Sequence, residues 1–135
     1  MRKTNFINIF KSFESNNAII WMNDYCSYSR LIKSIKTCLS FLESSKIEAG
    51  SVVSIEGDFS PQSTSLLFSL IDHKCIIVPI NRNNKSKNED LYEIAQVKYI
   101  FRINSKEVIT IKKRVKTSKN KYYKTINDRG NPGLV

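Results

Sequence analysis

The side chains able to do chemistry in this 135-residue chain are few and scattered. His73 is the sole histidine. An imidazole titrates near neutrality and can act as a general base, but His73 closes a predicted helix, where a surface or helix-capping role is expected. One histidine and three widely spaced cysteines (Cys26, Cys38, Cys75) match no metal-ligand spacing. The cysteines lie inside apolar patterns and read as reduced core thiols of a cytoplasmic protein. Glu56 and Asp58 flank a strand end and Asp72 closes a helix, and nothing in their spacing brings them together as acid and base. Ser29 and Ser60 each precede a helical apolar stripe, so both read as N-caps rather than nucleophiles. The expectation is therefore no catalytic, cofactor-binding or metal-binding residue within residues 1–135.

Charge is the strongest remaining signal. The formal net charge is +10, and it is unevenly spread. Residues 1–80 hold eight basic and seven acidic side chains, whereas residues 81–135 hold fourteen and five. The excess concentrates in 112–124, Lys112-Lys113-Arg114-Val115-Lys116-Thr117-Ser118-Lys119-Asn120-Lys121-Tyr122-Tyr123-Lys124. Lysines can neutralise phosphates and tyrosines can stack on bases, so a polyanion surface is chemically feasible. The competing reading is a basic, solvated surface loop in a chain rich in Lys, Asn and Ile. The closing residues, Arg129-Gly130-Asn131-Pro132-Gly133-Leu134-Val135, form a Gly/Pro loop leading into the first apolar residues of a strand.

These side chains must be positioned by an α/β fold. Phe6, Ile9, Phe10 and Phe13 recur at helical spacing. Ala18–Met22 reads as a strand, Asn23-Asp24 as a turn, and Tyr25–Tyr28 as the returning strand of an N-terminal hairpin. Leu31, Ile35, Leu39 and Leu42 mark an amphipathic helix capped by Ser29. A βαβ unit follows: strand 52–55, helix 61–73 with Ser60 as N-cap and Pro61 at the first helical position, and strand 75–80. Its strands are expected to be parallel, and Pro79, which has no N–H to give a ladder, is expected to end the second. Residues 81–88 read as a polar loop. Leu91, Ile94 and Ala95 mark a short helix, and Tyr99–Ile103 a strand. Val108, Ile109 and Ile111 continue as an edge strand, and Tyr122, Tyr123 and Ile126 mark a weak helix. No apolar run approaches the ~20 residues that span a bilayer, and no signal peptide is recognisable.

Three strings, in this order, resemble the N-terminal region of the adenylate-forming superfamily of acyl-CoA synthetases, adenylation domains and luciferases. Tyr28-Ser29-Arg30-Leu31 corresponds to the family's "(T/S)YxEL" string. Ala49 to Asn81, ending Val78-Pro79-Ile80-Asn81, corresponds to "Gd.V.i...N.pe....llA.lkaGa..vPl". Here Asp72-His73-Lys74-Cys75 replaces the usual Lys-Ala-Gly-Ala turn. Pro132-Gly133-Leu134-Val135 matches the start of "pGLilfTSGTTGxPKg". The similarity runs from about Ala18 to Val135.

The resemblance implies a single partial domain, a mostly parallel N-terminal subdomain cut just before the phosphate-binding loop. For the parent it implies attack of a carboxylate on the α-phosphate of ATP, with Mg²⁺, followed by acyl transfer to CoA or a carrier-protein thiol. The fragment alone is expected to be inactive. Its implied partners are the remainder of the ligase and, through an exposed face at the cut, a second copy. The alternative is a complete small basic α/β module that binds nucleic acid or another polyanion.

Overall fold

A computed structural model describes residues 6–81, 85–114 and 120–135. Its elements, in chain order, are α1 (Phe6–Lys11), β1 (Asn17–Trp21), β2 (Asp24–Ser27), α2 (Tyr28–Ser44), β3 (Val52–Glu56), α3 (Pro61–Asp72) and β4 (Ile76–Ile80). They continue with α4 (Lys85–Ala95), β5 (Tyr99–Ile103), β6 (Ile109–Lys113), α5 (Lys121–Asp128) and β7 (Gly133–Leu134). The fold is α/β, as expected.

β1 and β2 form a separate antiparallel hairpin. Its turn falls one residue earlier than the sequence reading, at Met22 (φ +46°) and Asn23 (φ +64°). Two successive left-handed residues match the right-handed twist of the flanking strands. The N-cap of α2 also moves. Ser27, not Ser29, accepts from the Arg30 amide at 3.2 Å, because helical geometry already begins at Tyr28.

The other strands make one five-stranded sheet in the order β6-β5-β3-β4-β7. β3 pairs in parallel with β4 and β5, and β4 in parallel with β7. β6 closes one edge antiparallel to β5, as its alternation predicts. The βαβ unit is present, with Ser60 Oγ accepting from the Ser63 amide and Pro61 opening α3.

Pro79 does not end β4, which runs on to Ile80. The carbonyls of Cys75 and Ile77 face β7, which places position 79 on that same flank. β7 pairs only as far as Ile77, so no described strand asks Pro79 for a donor.

Alternate residues of each central strand serve opposite layers. Val53, Ile55, Ile77 and Phe101 pack against Cys38 and Leu42 of α2 and Leu66 and Leu70 of α3. Val52, Ile76, Val78 and Ile100 pack against Tyr92 and Ala95 of α4 and Tyr123 of α5. α4 begins at Lys85, inside the expected polar loop, and presents Asn88, Tyr92 and Ala95 to the core. Leu91 and Ile94, two of the residues that mark this helix in the sequence, are 44% and 77% exposed. A third cluster, Cys26, Leu31 and Ile35 with Phe10 and Phe68, fixes α1 and the hairpin against α2 and α3.

Candidate functional site

The strand order creates a crevice. From β3 the chain crosses through α3 to β4 on one side, and from β4 through α4 back past β3 to β5. Adjacent strands whose exits diverge leave a gap between their carboxyl ends, the usual ligand position in open α/β sheets. Here those ends are Glu56-Gly57-Asp58 and Ile80-Asn81. A cavity of about 480 Å³ opens there, lined by Trp21 of the hairpin, Ile55, Gly57, Asp58 and Phe59 after β3, Ser63 and Leu67 of α3, and Pro79, Ile80 and Asn81 of β4. That volume suits a small molecule.

Gly57 has a packing reason to lack a side chain. A Cβ there would stand 3.2 Å from Ile103 Cβ and 3.3 Å from Ser63 Oγ. Beneath the crevice Glu56 is buried. Its Oε2 accepts from Arg102 Nε at 2.7 Å and its Oε1 from Asn88 Nδ2 at 3.4 Å. This carboxylate ties β3, β5 and α4 together. The three acidic residues singled out in the sequence are not assembled. Glu56 is sequestered, Asp58 faces the cavity, and Asp72 is exposed at the far end of α3.

His73 caps α3, and its ring Nε2 is 2.5 Å from the Ile47 carbonyl oxygen. All three cysteines are free and buried. Burial pushes their thiols up, Cys75 to about 12, which removes the thiolate needed for nucleophilic chemistry. Among the described residues no group of three or more His, Cys, Asp or Glu could hold a metal ion.

The basic run divides. Lys112 and Lys113 belong to β6, Lys121 and Lys124 to α5, and residues 115–119 lie outside the described residues. The expected loop over 112–124 is thus shortened at both ends, because strand pairing and the Asn120 cap continue into it. Arg114 is committed to the fold: it donates to Glu93 and to the Val97 carbonyl and lies 5.7 Å from the Tyr92 ring centroid. Lys98 donates to Glu48 at 2.7 Å, which holds the Glu48 carboxyl below and the Lys98 ammonium above their ordinary ranges.

Sequence reasoning did not find the crevice. Its lining comes from four separate segments, and only the strand order assembles them.

No protein-family model matches the chain, and no curated protein matches it. Solved structures do. The Klebsiella oxytoca NpsA N-terminal subdomain superposes with a TM-score of 0.68 at 19% identity, over 78% of this chain and 28% of that one. NpsA-ThdA, an artificially fused adenylation–PCP di-domain NRPS from the same organism, gives 0.67 at 19%, over 80% and 21%. VinN, in complex with L-aspartate, gives 0.67 at 12%, over 75% and 29%. The chain thus has the fold of the N-terminal region of such adenylation-domain structures, and it spans less than a third of their length.

Proposed function

We propose that this chain is the N-terminal scaffold of an AMP-forming ligase that activates an acyl or aminoacyl carboxylate. The observation that carries the reading is the shared arrangement of sheet and helices with adenylation-domain structures. Three features add to it. The Tyr28 string opens α2, Val78-Pro79-Ile80 forms the end of β4, and Gly133-Leu134 forms β7 beside β4.

β7 runs parallel to β4, so both point toward the crevice end of the sheet. In the proposed ligase, the phosphate loop that follows the Pro132–Val135 string in the family would be delivered to that end. Glycine amides there would cradle the phosphates without Cβ obstruction. In this reading ATP and Mg²⁺ are held by the remainder of the ligase; among the described residues no group of three or more His, Cys, Asp or Glu could hold a metal ion. The work assigned to residues 1–135 is positional. The buried Glu56–Arg102–Asn88 contacts fix the rim of the crevice, and the two helical layers hold the sheet that carries it. CoA or a carrier-protein thiol would accept the acyl group in that ligase, and the remainder of the ligase is the partner this scaffold serves.

The test is ATP–pyrophosphate exchange over a panel of carboxylates. The purified 135-residue chain is expected to give no carboxylate-dependent exchange, and robust exchange would overturn the scaffold role. The reading frame beyond Val135 is expected to encode a Ser/Thr/Gly-rich loop at once; a frame without one would remove the ligase reading.

A further inference from the structure

Among the described residues, the charged lining of the crevice cavity is a single carboxylate. The chain has a formal net charge of +10. Yet no described lysine or arginine lines this cavity, and its one ionisable lining group is Asp58. Among the described residues Asp58 has no hydrogen-bond or ion-pair partner. Neighbouring Glu56 differs, being neutralised by Arg102 at 2.7 Å. A smaller hollow shares Trp21 and Asp58 with the cavity and adds a second carboxylate, Glu107.

Glu107 Oε1 accepts from the Gln62 amide at 3.2 Å, and its carboxylate adds negative field to the hollow. The rest of the lining is largely apolar and aromatic, with Trp21, Leu67 and Ile80 among it. A carboxylate with no ion-pair partner among the described residues, lining the same cavity as an indole, favours positive charge twice over. The carboxylate accepts hydrogen bonds from an ammonium, and the indole face attracts a cation. The apolar walls reward a hydrophobic body on the same molecule.

We propose that this cavity binds a small primary ammonium compound with an aryl or alkyl body. The body lies against Trp21, Leu67 and Ile80, and the ammonium donates to Asp58. A carboxylate ligand in this cavity would meet Asp58 with like charge and is disfavoured. Binding is read without catalysis, so failure here and failure of the ligase reading are separate results.

Trp21 is the only tryptophan, so its fluorescence reports on this cavity directly. The chain is titrated with 2-phenylethylamine, with neutral 2-phenylethanol and with anionic 3-phenylpropanoate. The expected result is a saturable change with the amine, about fivefold weaker binding of the alcohol, as suits an exposed carboxylate, and weaker binding still of the acid. Asp58→Asn, an exposed position that keeps the fold by circular dichroism, is expected to bring the amine to the alcohol's affinity. Leu67→Phe is expected to weaken all three by filling the cavity. Equal affinity for the three compounds, tightest binding of the acid, or no saturable change would overturn the assignment. So would an amine preference that survives Asp58→Asn, or titrations that Leu67→Phe leaves unchanged.

Discussion

At the scale of single residues, the short-range features were legible and the long-range ones were not. Ser60 and Pro61 announce a helix start because cap and amide lie three residues apart. Glu56 gave no such sign: its partner Arg102 is 46 positions away, and only the parallel pairing of β3 with β5 brings them together. Removing that buried acceptor with Glu56→Ala is expected to cost about 2 kcal/mol in urea unfolding, less than for a fully buried pair because Arg102 remains half exposed. Ser54 Oγ and the Tyr92 hydroxyl are buried with no hydrogen-bond partner among the described residues. Each was desolvated on folding with no return, so Ser54→Ala is expected to raise stability by about 1 kcal/mol in the same assay. Cys75 yields a pH dependence. Its thiol is raised from 9.0 to about 12, so between those values the unfolded chain loses a proton that the folded chain keeps. The Cys75 contribution to stability is therefore fully present below pH 9 and is expected to be lost as pH rises toward 12, with Cys75→Ala flattening that slope.

At the scale of elements, helical periodicity located every helix, but helix ends and faces were set by features that composition hides. Four helices end the same way. The amide two residues past the cap returns to a carbonyl five positions earlier: Ile47 to Leu42, Cys75 to Leu70, Val97 to Tyr92 and Asn131 to Ile126. The motif needs a left-handed residue, normally glycine. Here only Gly130 supplies it, while Lys46, Lys74 and Gln96 adopt φ of +55°, +62° and +56°. Lys74 occupies the glycine position of the resembled Lys-Ala-Gly-Ala turn, so the missing glycine changed the residue and not the turn. Lys74→Gly and Lys46→Gly are each expected to stabilise the chain by about 1 kcal/mol, measured as a shift in urea midpoint. The inward face of α4 does not follow apolarity: Leu91 and Ile94 are exposed, whereas Asn88 is buried with polar partners, the Glu56 carboxylate and the Asn81 carbonyl.

At the scale of the whole molecule, the βαβ unit was readable from sequence, but the order of five strands was not. Nothing local states that β5 returns to the far side of β3 or that β7 lies beside β4. The crevice was invisible for that reason. The polyanion reading also changes at this scale, because Arg114 holds Glu93 and the Val97 carbonyl. On the scaffold reading, neutralising Lys112 and Lys113 is expected to leave the salt dependence of heparin retention nearly unchanged. A polyanion site would lose about one unit of slope per lost phosphate contact. Pro79 matters to more than β4. From Val78 onward the outer flank of that strand meets no described neighbour, close to Leu134 and Val135, which are 75% and 57% exposed. A strand flank offers N–H and C=O groups to a neighbour, and a proline there has no N–H to give. One ring in the middle of the sequence thus withholds a ladder donor from that flank of β4.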